Sequence, residues 1–161
     1  VTEATADDAG AFAAFFWEAW QQAGPTAPGF AGATDEVIRE LTTQAAIVER
    51  LGGPDRRMFL AWSGARVVGV AATSGIDDES VELAGIIVLQ SMLGGGIGSA
   101  LLAATTPACR NEGYRRMLVR TETVNERAVG FYESQGFARV VVTTEDVEGT
   151  LIDVWEMEQA L

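Results

Sequence analysis

Four glycines stand among the five residues from position 94 to position 98, directly before an alanine-rich segment with a helical pattern. A helix N-terminus offers unpaired backbone N–H groups and the positive end of the helix dipole, which together bind anions. Glycines in front of the helix let the backbone wrap a phosphate without a Cβ atom in the way. A tight strand-to-helix turn needs only one or two glycines, so the sequence favours a phosphate-binding loop over a simple turn.

Two common phosphate loops do not fit this segment. A P-loop requires a lysine after its last glycine, and all 11 basic residues of this chain are arginines. A dinucleotide-binding fingerprint counted from Gly94 and Gly96 requires a third glycine where this chain has Ser99. The segment also follows the fourth predicted strand rather than the first strand of a βαβ unit. Both motifs are therefore set aside.

The chain contains no histidine, which removes the commonest general base, the Ser-His-Asp triad and every zinc site that uses imidazole. Acid–base chemistry must therefore come from Asp, Glu, Tyr, Cys or a terminal amine. The single cysteine, Cys109, excludes an internal disulfide and has no histidine to activate it, so we expect a buried structural thiol. We expect no metal centre.

Composition and charge limit the classes of protein that remain. The 161 residues, 48% of them hydrophobic and 21% charged, predict one globular domain with a sizeable core. The net charge of −12 argues against nucleic-acid binding, because phosphate contacts require clustered basic residues. No apolar run approaches the roughly 18 residues of a membrane span, and the first residues do not resemble a signal peptide. We therefore expect a cytoplasmic protein without a nucleic-acid or membrane partner.

The elements that position the glycine segment follow from changes in hydrophobic period. Helices are predicted over residues 7–22, 34–51, 98–112 and 125–135, the first capped by Thr5 and the second by Thr34 or Asp35, with an end at residues 52–54. Strands are predicted near residues 1–4 and over 58–64, 66–75, 81–89, 115–123, 138–147 and 151–158. This order predicts an α/β (α+β) single domain with a mixed central sheet of six to seven strands and about four helices.

LGGGIG is the segment at residues 93–98, and NERAVGFYESQGFARV is the segment at residues 125–140. Both segments resemble the GNAT superfamily of N-acetyltransferases. LGGGIG, residues 93–98, fills the superfamily's pyrophosphate-loop frame Q/R-x-x-G-x-G/A, with Gly96 and Gly98 in the required places. NERAVGFYESQGFARV, residues 125–140, is similar to the superfamily's N-x-x-A-x-x-x-Y-x-x-x-G-F block. Their order and spacing agree, and the element order agrees from Arg57 onwards. The chain departs from the frame at Leu93, where Arg or Gln is usual, so the loop would rely on backbone N–H groups.

The resemblance implies a GNAT-like domain with acetyl-CoA as its co-substrate and no metal. The pyrophosphate would lie at the glycine loop, and the pantetheine arm would pair with the backbone of the preceding strand near a bulge. Asn125 would contact the cofactor from its helix start, although it is equally suited to capping that helix. Phe131 would pack near the cofactor's arm. The implied cofactor-binding residues are Ile86, Ile87, Val88, Gly94, Gly95, Gly96, Ile97, Gly98, Ser99, Asn125 and Phe131.

Two residues are the expected catalytic groups. Tyr132 occupies the tyrosine place of the second motif and resembles the superfamily's general acid, which protonates the departing thiolate. Glu82, six residues before Val88, lies where the histone-acetylating branch has a catalytic glutamate, and a solvated strand-start residue is an equal alternative. Glu122 is the second candidate for the base. The carboxylates at residues 77–79 are interpreted as charges of a hairpin turn.

The implied activity is transfer of an acetyl group from acetyl-CoA to a primary amine by direct attack in a ternary complex. The acceptor would be a small-molecule amine or a peptide N-terminus, with the first two helices and the loop containing Phe30 beside it. Trp17 lies next to the apolar stripe of the first helix and is a candidate for lining that pocket. A homodimer is compatible with the sequence. The alternative is a non-catalytic CoA-binding sensor or interaction module of the same fold, which Leu93 favours and Tyr132 disfavours.

Overall fold

The computed structural model describes residues 1–24, 27, 33–51, 53, 55–147 and 149–161. The strands are β1 (Thr2–Glu3), β2 (Arg56–Ser63), β3 (Arg66–Gly75), β4 (Ser80–Val88), β5 (Arg116–Glu122), β6 (Ala138–Val147) and β7 (Thr150–Ala160). The helices are α1 (Ala9–Ala23), α2 (Asp35–Leu41), α3 (Gln44–Leu51), α4 (Ile97–Asn111) and α5 (Glu126–Ser134). Within the described ranges no helix combines the length and apolarity needed to cross a membrane.

The seven strands form one mixed sheet in the order β1-β2-β3-β4-β5-β7-β6. Neighbouring strands are antiparallel except β4 and β5, which are parallel. A parallel pair needs a long crossover connection, and the segment that contains α4 supplies it. The α/β fold with a mixed seven-stranded sheet agrees with the prediction from sequence.

The predicted helix over residues 34–51 is wrong, because the structure has two helices there. Thr34 caps α2 by accepting a hydrogen bond from Val37 N–H at 3.3 Å. The Thr42 hydroxyl donates to Ile38 O at 2.7 Å, and Thr43 Oγ1 accepts from Ala46 N–H at 3.3 Å. Two consecutive threonines thus bind the backbone with their side chains, which ends one helix and starts the next. The described chain therefore has five α-helices rather than about four, and residues 52 and 54 of the predicted helix end lie outside the described residues.

The core lies on both faces of the central strands. β2 and β3 contain runs of consecutive buried residues, at 58–61 and 67–71, so neither face is open to solvent. A Cβ atom at Gly69 of β3 would lie 2.9 Å from Ile97 and 3.1 Å from Leu101, which shows that α4 packs closely on one face. α1 also packs on β3 and covers the other face with its buried phenylalanines, Phe12 and Phe15.

β4 and β5 separate along their length. They pair at Ser80–Arg116, Val81–Met117 and Glu82–Leu118. Beyond these positions β4 continues to pair with β3 as far as Val88, and β5 continues with β7 as far as Glu122. The register between β3 and β4 also shifts at Ala84, which is an extra residue and therefore a bulge. The backbone of β4 from Gly85 to Val88 thus has one edge without a neighbouring strand among the described residues.

Candidate functional site

A cleft of about 740 Å³ opens where β4 and β5 separate. It extends from the N-terminus of α4 and the first turns of α5 to the ends of β5, β6 and β7. All but one of the predicted cofactor residues line this cleft. The exception is Gly95, which lines a neighbouring cavity of about 580 Å³. The other predicted cofactor residues and the predicted acid all line the cleft: Ile86, Ile87, Val88, Gly94, Gly96, Ile97, Gly98, Ser99, Asn125, Phe131 and Tyr132.

The glycine loop presents backbone donors to this cleft. Gly94 and Gly96 have φ angles of 82° and 78°, in the left-handed region that side chains disfavour. The first backbone hydrogen bond of α4 joins Ala100 N–H to Gly96 O at 2.9 Å. The N–H groups of residues 97–99 therefore have no acceptor within the helix. Free donors, the helix dipole and the absence of Cβ atoms together fit a bound phosphate.

Gly98 has a role that sequence reasoning missed. A Cβ atom at this position would lie 3.2 Å from two atoms of the Phe131 ring and 3.9 Å from Ile86 Cγ2. The glycine therefore lets α4 approach α5 closely, in addition to clearing the loop. The spacing of the motif required a glycine here, but only the packing of the two helices gives the physical reason.

Tyr132 is buried at the middle of the cleft, with 5% of its surface exposed. Burial raises the pKa of Tyr132 to about 12, although a hydrogen bond between its hydroxyl and the Ile86 backbone acts in the opposite direction. Its ring packs edge-on against Phe131 and Phe137, with centroid distances of 5.3 and 5.5 Å. The phenol is therefore protonated at neutral pH and held in a fixed orientation.

Asn125 caps α5. Its Oδ1 accepts a hydrogen bond from Ala128 N–H at 3.1 Å, and the residue also lines the cleft. The capping role that the sequence allowed is therefore present, and contact with a cofactor stays a prediction. The cap fixes the first turn of the helix that carries Tyr132.

Glu82 lies in β4 before the two strands separate. It is absent from the residues that line the cleft, and its Oε1 accepts a hydrogen bond from Arg120 Nη1 at 2.9 Å. Arg120 lines the cleft and also lies 3.7 Å from the carboxylates of Glu145 and Glu156. Glu82 is thus connected to the cleft through Arg120, whereas Glu122 lines the cleft directly.

Sequence reasoning also missed much of the cleft wall formed by β5, β6 and β7, including Arg120, Glu145, Ile152 and Val154. The alternation of side chains along each strand could indicate which of them share a face. It could not indicate that β7 lies between β5 and β6, and that pairing is what brings these side chains to the opening.

The amino-acid sequence matches the model of the acetyltransferase (GNAT) family over residues 12–137. The chain belongs to this family. The matched segment contains the glycine loop, β4 and α5 through Tyr132, so it includes the two motifs from which the resemblance was predicted.

Curated relatives of this GNAT family member include two mycobacterial proteins. An uncharacterized N-acetyltransferase of Mycobacterium tuberculosis is 30% identical over 95 residues, which cover 59% of this chain and 61% of the relative. A protein of the same description from Mycobacterium bovis matches with the same identity and coverage. The chain thus spans 61% of the length of the curated relatives it matches.

Solved structures of several acetyltransferases share the fold. Ribosomal-protein-alanine N-acetyltransferase from Brucella melitensis is 22% identical with a TM-score of 0.77, covering 99% of this chain and 98% of that one. PaiA N-acetyltransferase from Thermoplasma acidophilum, in complex with coenzyme A, is 17% identical with a TM-score of 0.74 over 99% and 97% of the chains. A GNAT family acetyltransferase from Elizabethkingia anophelis with acetyl-CoA bound is 19% identical, with a TM-score of 0.61 over 83% and 95%.

Two predictions about other residues, Cys109 and Trp17, have different outcomes. Cys109 is fully buried, and burial raises the pKa of its thiol, as expected for a structural cysteine. Trp17 is absent from the residues that line the cleft, and the guanidinium of Arg39 lies over its ring, 4.9 Å from the centroid. α1 reaches the cleft through Ala23 instead, and Phe30 lies outside the described residues.

The carboxylates at residues 77–79 lie in the turn between β3 and β4, as the sequence predicted. Asp77 Oδ1 accepts a hydrogen bond from Glu79 N–H at 2.8 Å. This backbone donor is the largest of the causes that lower the pKa of Asp77. Asp77 therefore stabilises the turn that leads into β4.

Proposed function

We propose that this GNAT acetyltransferase transfers the acetyl group of acetyl-CoA to a primary amine by direct attack in a ternary complex. The observation that carries the proposal is the Tyr132 hydroxyl at the backbone of Ile86, in the same cleft as the N-terminus of α4. A buried proton donor, a phosphate cradle and an open strand edge are the three features that an acyl-CoA transferase needs close together.

The glycine loop would hold the pyrophosphate. The N–H groups of residues 97–99 have no acceptor within α4, and Gly94 and Gly96 leave their surroundings free of Cβ atoms. Leu93 lines the cleft with 38% of its surface exposed, where a basic or amide side chain would otherwise add a hydrogen bond. The cradle therefore depends on backbone donors and the dipole of a helix that starts at Ile97.

The edge of β4 from Gly85 to Val88 would hold the pantetheine arm. Its outward-facing N–H and C=O groups have lost β5 as a neighbour, and an amide-containing chain could pair with them as a strand would. Ile86, Ile87 and Val88 are only partly buried and contribute apolar side chains to the cleft. Binding of the pantetheine arm by backbone pairing and apolar contacts requires no charged side chain on β4.

Tyr132 would act as the general acid. When bound, acetyl-CoA supplies a thioester carbonyl carbon that an amine can attack. As the new C–N bond forms and the C–S bond breaks, the Tyr132 hydroxyl gives its proton to the sulfur. The raised pKa keeps this proton in place at neutral pH, so the phenol is available as a donor when negative charge develops on the sulfur.

The proton of the attacking ammonium has two candidate acceptors, Glu82 and Glu122. Glu122 lines the cleft, and Glu82 hydrogen-bonds to Arg120, which lines it. The proposed acceptor substrate is a small-molecule amine or a peptide N-terminus, entering at the wall formed by β5, β6 and β7. The carboxylates of that wall suit a cation before it loses its proton.

A panel of primary amines, with CoA release followed for the wild-type protein and for Tyr132→Phe, tests the proposal. Turnover of at least one amine that depends on Tyr132 supports acetyl transfer. The second candidate is a CoA-binding module without turnover, for which the uncharged Leu93 is the supporting observation. CoA binding by calorimetry, combined with no turnover on peptide, polyamine and aromatic amines, would favour that module over the enzyme.

A further inference from the structure

β6 forms the outer edge of the sheet and pairs only with β7 among the described strands. Its valines, Val140, Val141 and Val142, are 52%, 43% and 42% exposed. It contains no proline, which commonly protects edge strands, and its residues 141–144 carry no charge. A long exposed edge of β-branched residues is a surface on which another strand can pair.

The side chains of β6 alternate between the two faces of the sheet. One face contains two opposite charges, Arg139 and Asp146, at different ends of the strand. Val142 lies opposite Trp155 and Asp146 lies opposite Leu151, so all four share a face. Arg139 lies on the same face, because its guanidinium stacks over the Trp155 ring, 5.0 Å from the centroid. One face therefore has a cation at the start of β6 and an anion near its end.

A bulge sets the spacing between these charges. Val141 lies opposite Glu156 and Arg139 lies opposite Met157, so Val140 is an extra residue. Because of the bulge, Val140 and Val141 together take one position of the strand. Counted in this way, Arg139 lies three positions before Thr143, and Asp146 lies three positions after it. If two β6 strands pair antiparallel with Thr143 opposite Thr143, the Arg139 of each strand lies opposite the Asp146 of the other.

We propose that β6 pairs antiparallel with β6 of a second copy of this chain, about a two-fold axis at Thr143. Each Arg139 then lies directly opposite the partner's Asp146 and on the same face, and the contact occurs twice. A two-fold interface requires this reciprocity, in which a residue meets its complement in both directions. The two sheets join into one continuous sheet, and the exposed valines of both edges become covered.

Existing contacts leave these charges available. Arg139 pairs with Glu133 at 2.7 Å, and both side chains are exposed, so the pair adds little stability and does not prevent a second contact. Asp146 accepts a hydrogen bond from Gly149 N–H at 2.7 Å through one of its two carboxylate oxygens. An axis at Thr144 would instead bring Glu145 diagonally beside the partner's Glu145, and like charges disfavour that register.

Light scattering coupled to size-exclusion chromatography, over a series of concentrations, tests the proposal. The wild-type protein is expected to have twice the mass of the chain. Val142→Lys brings like charges together near the axis and should raise the dimer dissociation constant by about 10-fold or more. Val48→Lys in α3 is the matched control, since this valine is 39% exposed and lies far from β6 in the fold, and it should remain a dimer.

A charge exchange tests the register. Arg139→Asp and Asp146→Arg should each weaken the dimer, and the two substitutions together should restore it. If either single variant fails to fold by circular dichroism, Arg139→Gln and Asp146→Asn replace them, because asparagine still accepts from Gly149 N–H. Each neutral substitution should then weaken the dimer, and the two together should weaken it no more than one alone. A monomeric wild type, a dimer indifferent to Val142→Lys, or no recovery in the double variant would each overturn the proposal. None of these outcomes depends on acetyl transfer.

Discussion

The hydroxyl of Tyr132 in α5 lies close to the backbone of Ile86 in β4, beside the place where β5 has moved away. The phenol lines the cleft that opens between the two strands. It connects a helix to the open edge of a strand and is itself buried. Removing this one oxygen affects both the proposed chemistry and the stability of the cleft.

Tyr132→Phe should lower kcat by about 10²–10⁴-fold, the range for loss of a general acid. Acetyl-CoA affinity should change little, because the ring and its contacts with Phe131 and Phe137 remain. Loss of the interaction between the hydroxyl and the Ile86 backbone should cost no more than about 1 kcal/mol of folding free energy. Steady-state kinetics and calorimetry measure the two effects, and a variant within a few-fold of wild-type activity would assign Tyr132 to packing alone.

The stability of the protein should depend on Tyr132 at high pH. The pKa of this phenol is raised by burial from 10.0 to about 12, so the unfolded chain loses its proton at lower pH than the folded one. Folding stability is unaffected below pH 10 and falls between pH 10 and pH 12, by about 2–3 kcal/mol from this group. Denaturant unfolding of wild type and Tyr132→Phe across this range should show the extra loss in wild type only; parallel curves would contradict it.

Gly96→Asp should abolish CoA binding while the protein stays folded. The substitution places a carboxylate where the pyrophosphate is proposed to lie and a side chain at a φ angle of 78°. Gly113→Asp is a matched control, because Gly113 has a φ of 103°, is equally open around its Cβ position and follows the other end of α4. Both variants should lose about 1–2 kcal/mol of stability from backbone strain, and only Gly96→Asp should lose CoA affinity by calorimetry. Equal CoA affinities in the two variants would show that the pyrophosphate does not bind at the glycine loop.

Gly98→Ala should destabilise the protein through Phe131. The added methyl would lie 3.2 Å from the ring, and overpacking of about 1–3 kcal/mol exceeds the gain in helix propensity of about 1 kcal/mol. In a Phe131→Leu background the same substitution should become neutral or stabilising, which gives a coupling energy of about 1 kcal/mol in a double-mutant cycle. Additive effects of the two substitutions would show that the helices adjust without cost.

Glu82→Gln and Glu122→Gln distinguish the two candidate bases. The variant that lacks the base should lose kcat/KM mostly near neutral pH, and its deficit should shrink as pH rises and free amine becomes abundant. Glu82→Gln leaves Arg120 close to Glu145 and Glu156, so Arg120 keeps ionic partners in that variant. A loss independent of pH in both variants, or no loss in either, would leave deprotonation to water.

Local sequence was sufficient for the features that depend on neighbours along the chain. The glycine loop, the cap at Asn125 and the helix carrying Tyr132 were predictable because backbone conformation, capping and helical period act within a few residues. The break at residues 42–43 was missed even so. Its apolar residues continue in helical period through the break, and only the two threonine hydroxyls, which bind Ile38 O and Ala46 N–H, separate α2 from α3.

Tertiary structure alone decided the shape of the cleft. The insertion of β7 between β5 and β6, the separation of β4 from β5 and the contact of Arg120 with Glu82 all join residues far apart in the chain. Strand pairing uses backbone groups that every residue has, so the sequence carries little record of which strand lies beside which. The sequence thus determined which side chains and backbone donors are available for chemistry, and the packing of the sheet determined which of them meet.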